Sequence, residues 1–251
     1  MGKRTLILTL KMDREIIMLV CAVLLAGSLI IALMPGSAGV GVCAMGRHIL
    51  SGFSVAIDPG HGGIDGGAHD NRGLMEKDIN LDVSLKLKRY LEGMNARVIM
   101  TRERDTSLED KSDLNSSRYR KDLDARKDII NRSNADVFVS IHVNASPGYP
   151  ATRGAIVFYD PASEYGKLLA GRIARSIDSI VYKDYLKSDT LKTKVRCDDY
   201  YILRETKVTG VIVELGFLTN QHDKALLQDK RFKERISSAI AEGIALYLTS
   251  Y

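Results

Sequence analysis

Four polar residues stand where short apolar runs end or an amphipathic stretch begins: His61, Glu76, His142 and Glu214. His61 follows the run VAIDPGHGG (Val55–Gly63), His142 follows DVFVSI (Asp136–Ile141), Glu214 closes VIVE (Val211–Glu214), and Glu76 opens a helical pattern. In open α/β sheets, functional groups gather at the carboxyl ends of the strands. Two neutral imidazoles and one carboxylate make a three-ligand set suited to catalytic zinc, with one coordination position left open. Such an ion acidifies a water. A second carboxylate outside the ligand set could take that water's proton and later protonate a leaving amine, and Glu214 fits that role. Histidine and carboxylate ligands also suit other first-row metals.

Each residue has a plainer reading when taken alone. His61 could be a loop histidine and His142 a satisfied core histidine. Glu76 could be a first-turn acid favoured by the helix dipole, and Glu214 could pair with a nearby arginine. His69 lies between two proposed ligands and competes with Glu76 for a metal. Asp58 either receives the free N–H of a ligating imidazole or caps the turn. Gly60, Gly62 and Gly63 let the backbone turn sharply and pass close to a ligand. His48 and His222 read as exposed.

The elements that must position these residues follow from periodicity. Strands are expected at Ser54–Ile57, Arg97–Thr101, Asp136–Ile141, Gly154–Tyr159 and Val211–Glu214. Helices are expected at Lys77–Leu91, Ala125–Arg132, Lys167–Ile180 and Lys230–Leu248, with Ile79, Val83, Leu87 and Leu91 recurring at i+4 in the first. Gly93 suits the C-terminal cap of that helix. The alternation argues for an α/β fold with helices on both faces of the sheet. The charged segment Arg102–Asp124 reads as an exposed loop or a solvated helix.

Ahead of this domain, residues 16–34 (IIMLVCAVLLAGSLIIALM) carry no charge and approach the ~30 Å thickness of a bilayer core at about 1.5 Å per residue. Lys3, Arg4, Lys11 and Arg14 precede the run, which puts residues 1–15 in the cytoplasm and the remainder outside. A cleaved signal peptide is the alternative, but signal cores run about 7–15 residues, and the length favours an uncleaved anchor. Residues 35–52 read as a tether and residues 53–251 as the exported domain. The chain has 251 residues and a formal net charge of +5, without basic runs interleaved with aromatics, so a nucleic-acid partner is not expected. The three cysteines, Cys21, Cys43 and Cys197, match no zinc or redox motif; a Cys43–Cys197 disulfide is open outside the membrane.

The motifs DPGHGG (Asp58–Gly63), MEKDINL (Met75–Leu81), SIHVNA (Ser140–Ala145) and VELGFLTN (Val213–Asn220) resemble those of the zinc-dependent N-acetylmuramoyl-L-alanine amidases of bacterial cell walls. The resemblance spans Val55 to about Leu248. It implies a mixed, mostly parallel sheet between helices, with His61, Glu76 and His142 on the family's zinc ligands and Glu214 on its catalytic glutamate. The implied substrate is peptidoglycan, cut between the lactyl group of N-acetylmuramic acid and L-alanine of the stem peptide. Asn80, Asn144 and Arg204, in or beside these motifs, are expected to contact substrate, Arg204 through a stem-peptide carboxylate. The short span between His142 and Glu214 leaves little room for the inhibitory helix of some division amidases. One anchor and a bare catalytic domain look like the germination-specific, spore-cortex amidases of endospore formers, whose action lets muramic-δ-lactam form. Such an enzyme would work at the membrane in the cell envelope or forespore intermembrane space, with a targeting or activating protein as a plausible partner. Two rivals stand beside this reading: a wall metallopeptidase using the same metal set, and a membrane-anchored peptidoglycan-binding protein with little activity alone.

Overall fold

A computed structural model describes residues 49–250. The expected cytoplasmic segment, the span at residues 16–34, Cys21, Cys43, His48 and most of the tether lie outside the described residues. Among the described residues, no helix is long and apolar enough to cross a membrane.

Among the described residues, six strands form one sheet: β1 (Ser54–Pro59), β2 (Arg97–Met100), β3 (Val137–Asn144), β4 (Ile156–Tyr159), β5 (Lys194–Cys197) and β6 (Thr209–Phe217), in the order β2-β1-β3-β6-β4-β5. Strands β2, β1, β3 and β6 run parallel, β4 is antiparallel to β6, and β5 is parallel to β4. The sheet is therefore mixed. Among the described residues, six α-helices accompany it: α1 (Glu76–Gly93), α2 (Arg118–Arg132), α3 (Glu164–Ser176), α4 (Tyr201–Arg204), α5 (Gln221–Gln228) and α6 (Lys230–Leu248).

Strand alternation sorts the two faces. Val55, Ile57, Val137, Val139, Ile141, Val211 and Val213 pack in the larger core with Ile79, Val83 and Leu87 of α1, Ile173 of α3 and Ile240 of α6. The opposite parity, Ala56, Phe138 and Ile212, packs with Ile130 of α2 and with Ile202 and Leu203 of α4. Asp58, Ser140, His142 and Glu214 share that second parity. The amphipathic pattern of α1 thus buries a covering helix on one face, and the chemistry projects from the other.

Several boundaries differ from the sequence expectation, each for a local reason. Gly93 ends α1 inside the helix, and Asn95 takes the left-handed conformation instead (φ 70°). Helix α2 starts at Arg118 because the Ser117 side chain accepts the Arg120 N–H. Ser163 caps α3 in the same way, and α3 passes into a π-helix over Ile177–Tyr185. Strands β3 and β6 run past His142 and Glu214, so both residues lie within strands rather than at their ends. Strand β5 and helices α4 and α5 were not anticipated. The segment Arg102–Asp124 is not a solvated loop throughout: Arg102, Leu108, Glu109 and Ser112 are buried. Cys197 is an exposed free thiol.

Candidate metal site and catalytic cleft

Beyond β1, the Gly60 N–H still reaches the Ile141 carbonyl of β3 (2.9 Å) before the chain turns. His61 then adopts φ 58°, an unusual left-handed backbone for a non-glycine residue. The adjacent glycines turn the backbone sharply, Gly62 at φ 139° and Gly63 at φ 58°, and they also make room for neighbours. A Cβ on Gly60 would lie 2.2 Å from His142 Cε1, and one on Gly62 would lie 2.4 Å from the Thr106 carbonyl oxygen. Gly60→Ala should therefore displace the His142 ring and cost about 1–3 kcal/mol. A thermal melt together with a Zn2+ titration checks this; unchanged values in both would show that the turn absorbs the methyl group.

Glu76, the first residue of α1, meets both histidines. Its Oε1 lies 3.2 Å from His61 Nε2 and 3.0 Å from His142 Nδ1. The two imidazole rings sit edge to face with centroids 5.0 Å apart. One ligand atom from each of His61, Glu76 and His142 falls within 4.8 Å of the others. Glu76 is held from behind by the N–H groups of Val143 (3.0 Å) and Ala68 (2.8 Å) and by Asn80 Nδ2 (3.2 Å). His69 is exposed, outside this set, with its nearest polar contact at the Gly67 carbonyl (3.4 Å). His222 is exposed.

The donor chemistry suits a divalent cation. Asp65 Oδ2 accepts the His61 Nδ1–H at 2.7 Å, which leaves Nε2, beside Glu76, as the nitrogen that would ligate a cation once it gives up its proton. Asp65, and not Asp58, therefore supports the imidazole. Burial pushes His61 down, but Glu76 and Asp65 outweigh it and raise the ring to about 9. Burial likewise pushes Glu76 up, and the two imidazoles outweigh it, holding the carboxyl well below the usual range. The cluster thus favours positive charge at its centre, which a cation can supply in place of protons.

Glu214 pairs in register with His142 across β3 and β6, so both side chains leave the same face. It is buried, and its Oε2 makes no hydrogen bond among the described residues. Burial, with the Glu76 charge, raises its carboxyl to about 7 against the lowering influence of His142 and His61. Glu214, His61 and His142 share a cleft of about 230 Å³, walled by Tyr119, Leu123, Tyr200, Tyr201 and Ile202.

The expected substrate residues fare differently. Asn80 is fully buried and donates to the Gly60 carbonyl (3.3 Å) and to Glu76. It cannot touch a substrate from there, so that expectation is corrected to support of the turn and of Glu76. Asn144 is half-buried at the end of β3. Arg204, at the end of α4, pairs with Asp199 and Glu205 and is not among the residues that wall the cleft. The tyrosine wall escaped the sequence reading. Its one signal was the pair Tyr200-Tyr201 after an acidic Asp198-Asp199.

The profile of the family described as N-acetylmuramoyl-L-alanine amidase matches residues 55–246. The germination-specific N-acetylmuramoyl-L-alanine amidase of Bacillus subtilis (strain 168) is 37% identical over 202 residues, which cover 80% of this chain and 81% of the relative. The solved structure of the CwlD amidase from Clostridioides difficile in complex with the GerS lipoprotein aligns with a TM-score of 0.70 at 38% identity, covering 79% of this chain and all (100%) of that one. The amidase AmiC2 of Nostoc punctiforme aligns with a TM-score of 0.66 at 32% identity, over 79% of this chain and 98% of its own.

Proposed function

Because this chain belongs to the N-acetylmuramoyl-L-alanine amidase family, we propose that it is a zinc enzyme that frees stem peptides from spore-cortex peptidoglycan, so that muramic-δ-lactam can form. The bond cut is the amide between the N-acetylmuramoyl lactyl group and L-alanine. The convergence of His61, Glu76 and His142 beside an unpartnered Glu214 carries this reading. The cortex role is supported by the likeness to the germination-specific amidase.

His61 Nε2, a Glu76 carboxylate oxygen and His142 Nδ1 would hold the metal. When bound, zinc supplies Lewis-acid polarisation of the lactyl carbonyl and lowers the pKa of the attacking water. Glu214 Oε2 accepts the proton from that water and passes it to the departing L-alanine nitrogen. A carboxyl poised near neutrality suits both transfers. Asp65 keeps the His61 ring in one tautomer throughout. The tyrosine wall presents flat amphipathic faces to the glycan and peptide. Asn144, beyond His142, and Arg204, beside that wall, contact the substrate in this scheme.

The N-terminal apolar segment would anchor the chain in a membrane, with the catalytic domain outside the cytoplasm, in the cell envelope or forespore intermembrane space. A lipoprotein is the natural class of accessory partner, since the similar CwlD was solved with one.

The full chain incubated with purified cortex peptidoglycan tests the reading. It should release peptides beginning with free L-alanine and leave lactyl carboxylates on the glycan. A chelator should stop the release and Zn2+ restore it. Cuts within the stem peptide would instead mark a metallopeptidase, and binding without products at saturating metal, with or without a lipoprotein partner, would mark a binding protein.

A further inference from the structure

The segment after β2, too charged to be read as core, sends a buried guanidinium under the His61 turn, and α2 sends a second. Arg102 Nε donates to the Pro59 carbonyl (2.9 Å), and its Nη2 donates to those of Gly60 (2.8 Å) and Lys77 (3.0 Å). Arg126 Nη1 donates to the same Pro59 carbonyl (2.7 Å), and its Nη2 to that of His61 (2.6 Å). Both arginines are nearly sealed from solvent, at 3% and 2% exposure. Two like charges converge on three consecutive carbonyls, an arrangement that holds because Asp58 and Asp122 flank Arg126.

We propose that Arg102 and Arg126 form a clasp that positions His61 for metal binding: by gripping the carbonyls of Pro59, Gly60 and His61, they hold the left-handed backbone that aims the imidazole at Glu76 and His142. This rests on the metal-site reading above. His61 enters that site from a turn, whereas His142 lies in a strand and Glu76 in a helix. Its backbone is therefore the one that ladder hydrogen bonds do not fix, and the clasp supplies what the ladder does not. The Gly62 position fits the same purpose, since it lets the 102–106 segment close onto the turn. Groups that orient a metal ligand from outside the coordination shell commonly change metal affinity by 10–100-fold.

Arg102→Lys and Arg126→Lys test the clasp in the full chain. Lysine keeps the charge but cannot fork across several carbonyls. Folding is read by circular dichroism and Zn2+ affinity by competition with a chelating dye. Each variant should stay folded and bind Zn2+ about 10–100-fold more weakly. Saturating Zn2+ should restore most of kcat on muropeptides with KM unchanged. Ile240→Val, in the core on the far face, should lower the melting temperature and leave the Zn2+ Kd alone. If Arg126→Lys fails to fold, Arg102→Lys decides, because its guanidinium bonds only backbone carbonyls. A folded Arg102→Lys chain with the wild-type Zn2+ Kd overturns the clasp. A wild-type chain that takes up no divalent metal overturns the metal reading itself, and wild-type uptake without stem-peptide release overturns only the amidase step.

Discussion

Glu214→Gln should lower kcat on muropeptides by about 10²–10⁴-fold while leaving the Zn2+ Kd within a few-fold of wild type. The substitution keeps the side chain's size but removes the group that carries the proton in both transfers of the proposed mechanism. Glu214 lies outside the His61, Glu76 and His142 cluster, so metal uptake has no need of it. Glu76→Gln makes the contrast: it should weaken Zn2+ binding and activity together. The pH dependence carries a sign. As a base Glu214 must be ionised, so the rate falls as pH drops through its value. That value is about 7 without metal, raised mainly by burial. A bound divalent cation nearby favours the carboxylate, so the acid limb of kcat/KM should lie below 7 in the zinc-loaded enzyme. A Glu214→Gln chain that retains wild-type kcat would remove Glu214 from the reaction. One that loses zinc would make it a ligand.

The parts of this site differ in how legible they were in the sequence. His61, His142 and Glu214 follow or close apolar runs, and hydrophobic patterning is the primary structural signal a sequence offers. Helix α1 announces itself through Ile79, Val83, Leu87 and Leu91, all of which are buried. Strand β5 has no such pattern, because all four of its residues are exposed and only its backbone pairs with β4. Helix α2 was cut short at its start because its first turn is charged, although Ser117 stood ready as its cap. The expectation that Asp58 receives the imidazole N–H failed for a geometric reason. Asp58 is close to His61 in sequence, but strand alternation points it at Arg126 of α2, whereas Asp65 returns through the turn to meet the His61 ring. The clasp was invisible. Nothing in a local pattern tells a buried arginine from the solvated ones around it, and Arg126 finds Asp58 68 residues away.

That distant pair should dominate stability. Arg126 and Asp58 are each 2% exposed and meet at 2.7 Å. Thr101 and Ser140 hydroxyls donate to the same carboxylate, each at 2.7 Å. Arg126→Met would leave that carboxylate buried with two neutral donors only. Breaking a buried pair from one side costs roughly 3–5 kcal/mol, or a melting temperature lower by about 6–20 °C in a domain of this size. Burial pushes Asp58 up, but Arg126 and the hydroxyls outweigh it and hold the carboxyl below its ordinary value. A depressed carboxyl stabilises the wild type above the unfolded value near pH 4 and loses that contribution as pH falls through the folded value. Without Arg126, burial prevails and the carboxyl rises above its unfolded value, so the variant's stability falls as pH rises. Denaturant melts should thus show the largest gap between the two chains near pH 8 and a smaller one near pH 5. Adding Asp58→Leu to Arg126→Met removes the stranded charge and should recover part of the loss and flatten the pH dependence of the gap. A single variant that melts like wild type at both pH values would mean that the Thr101 and Ser140 hydroxyls suffice for the Asp58 carboxylate and that the ion pair does not hold this corner of the fold.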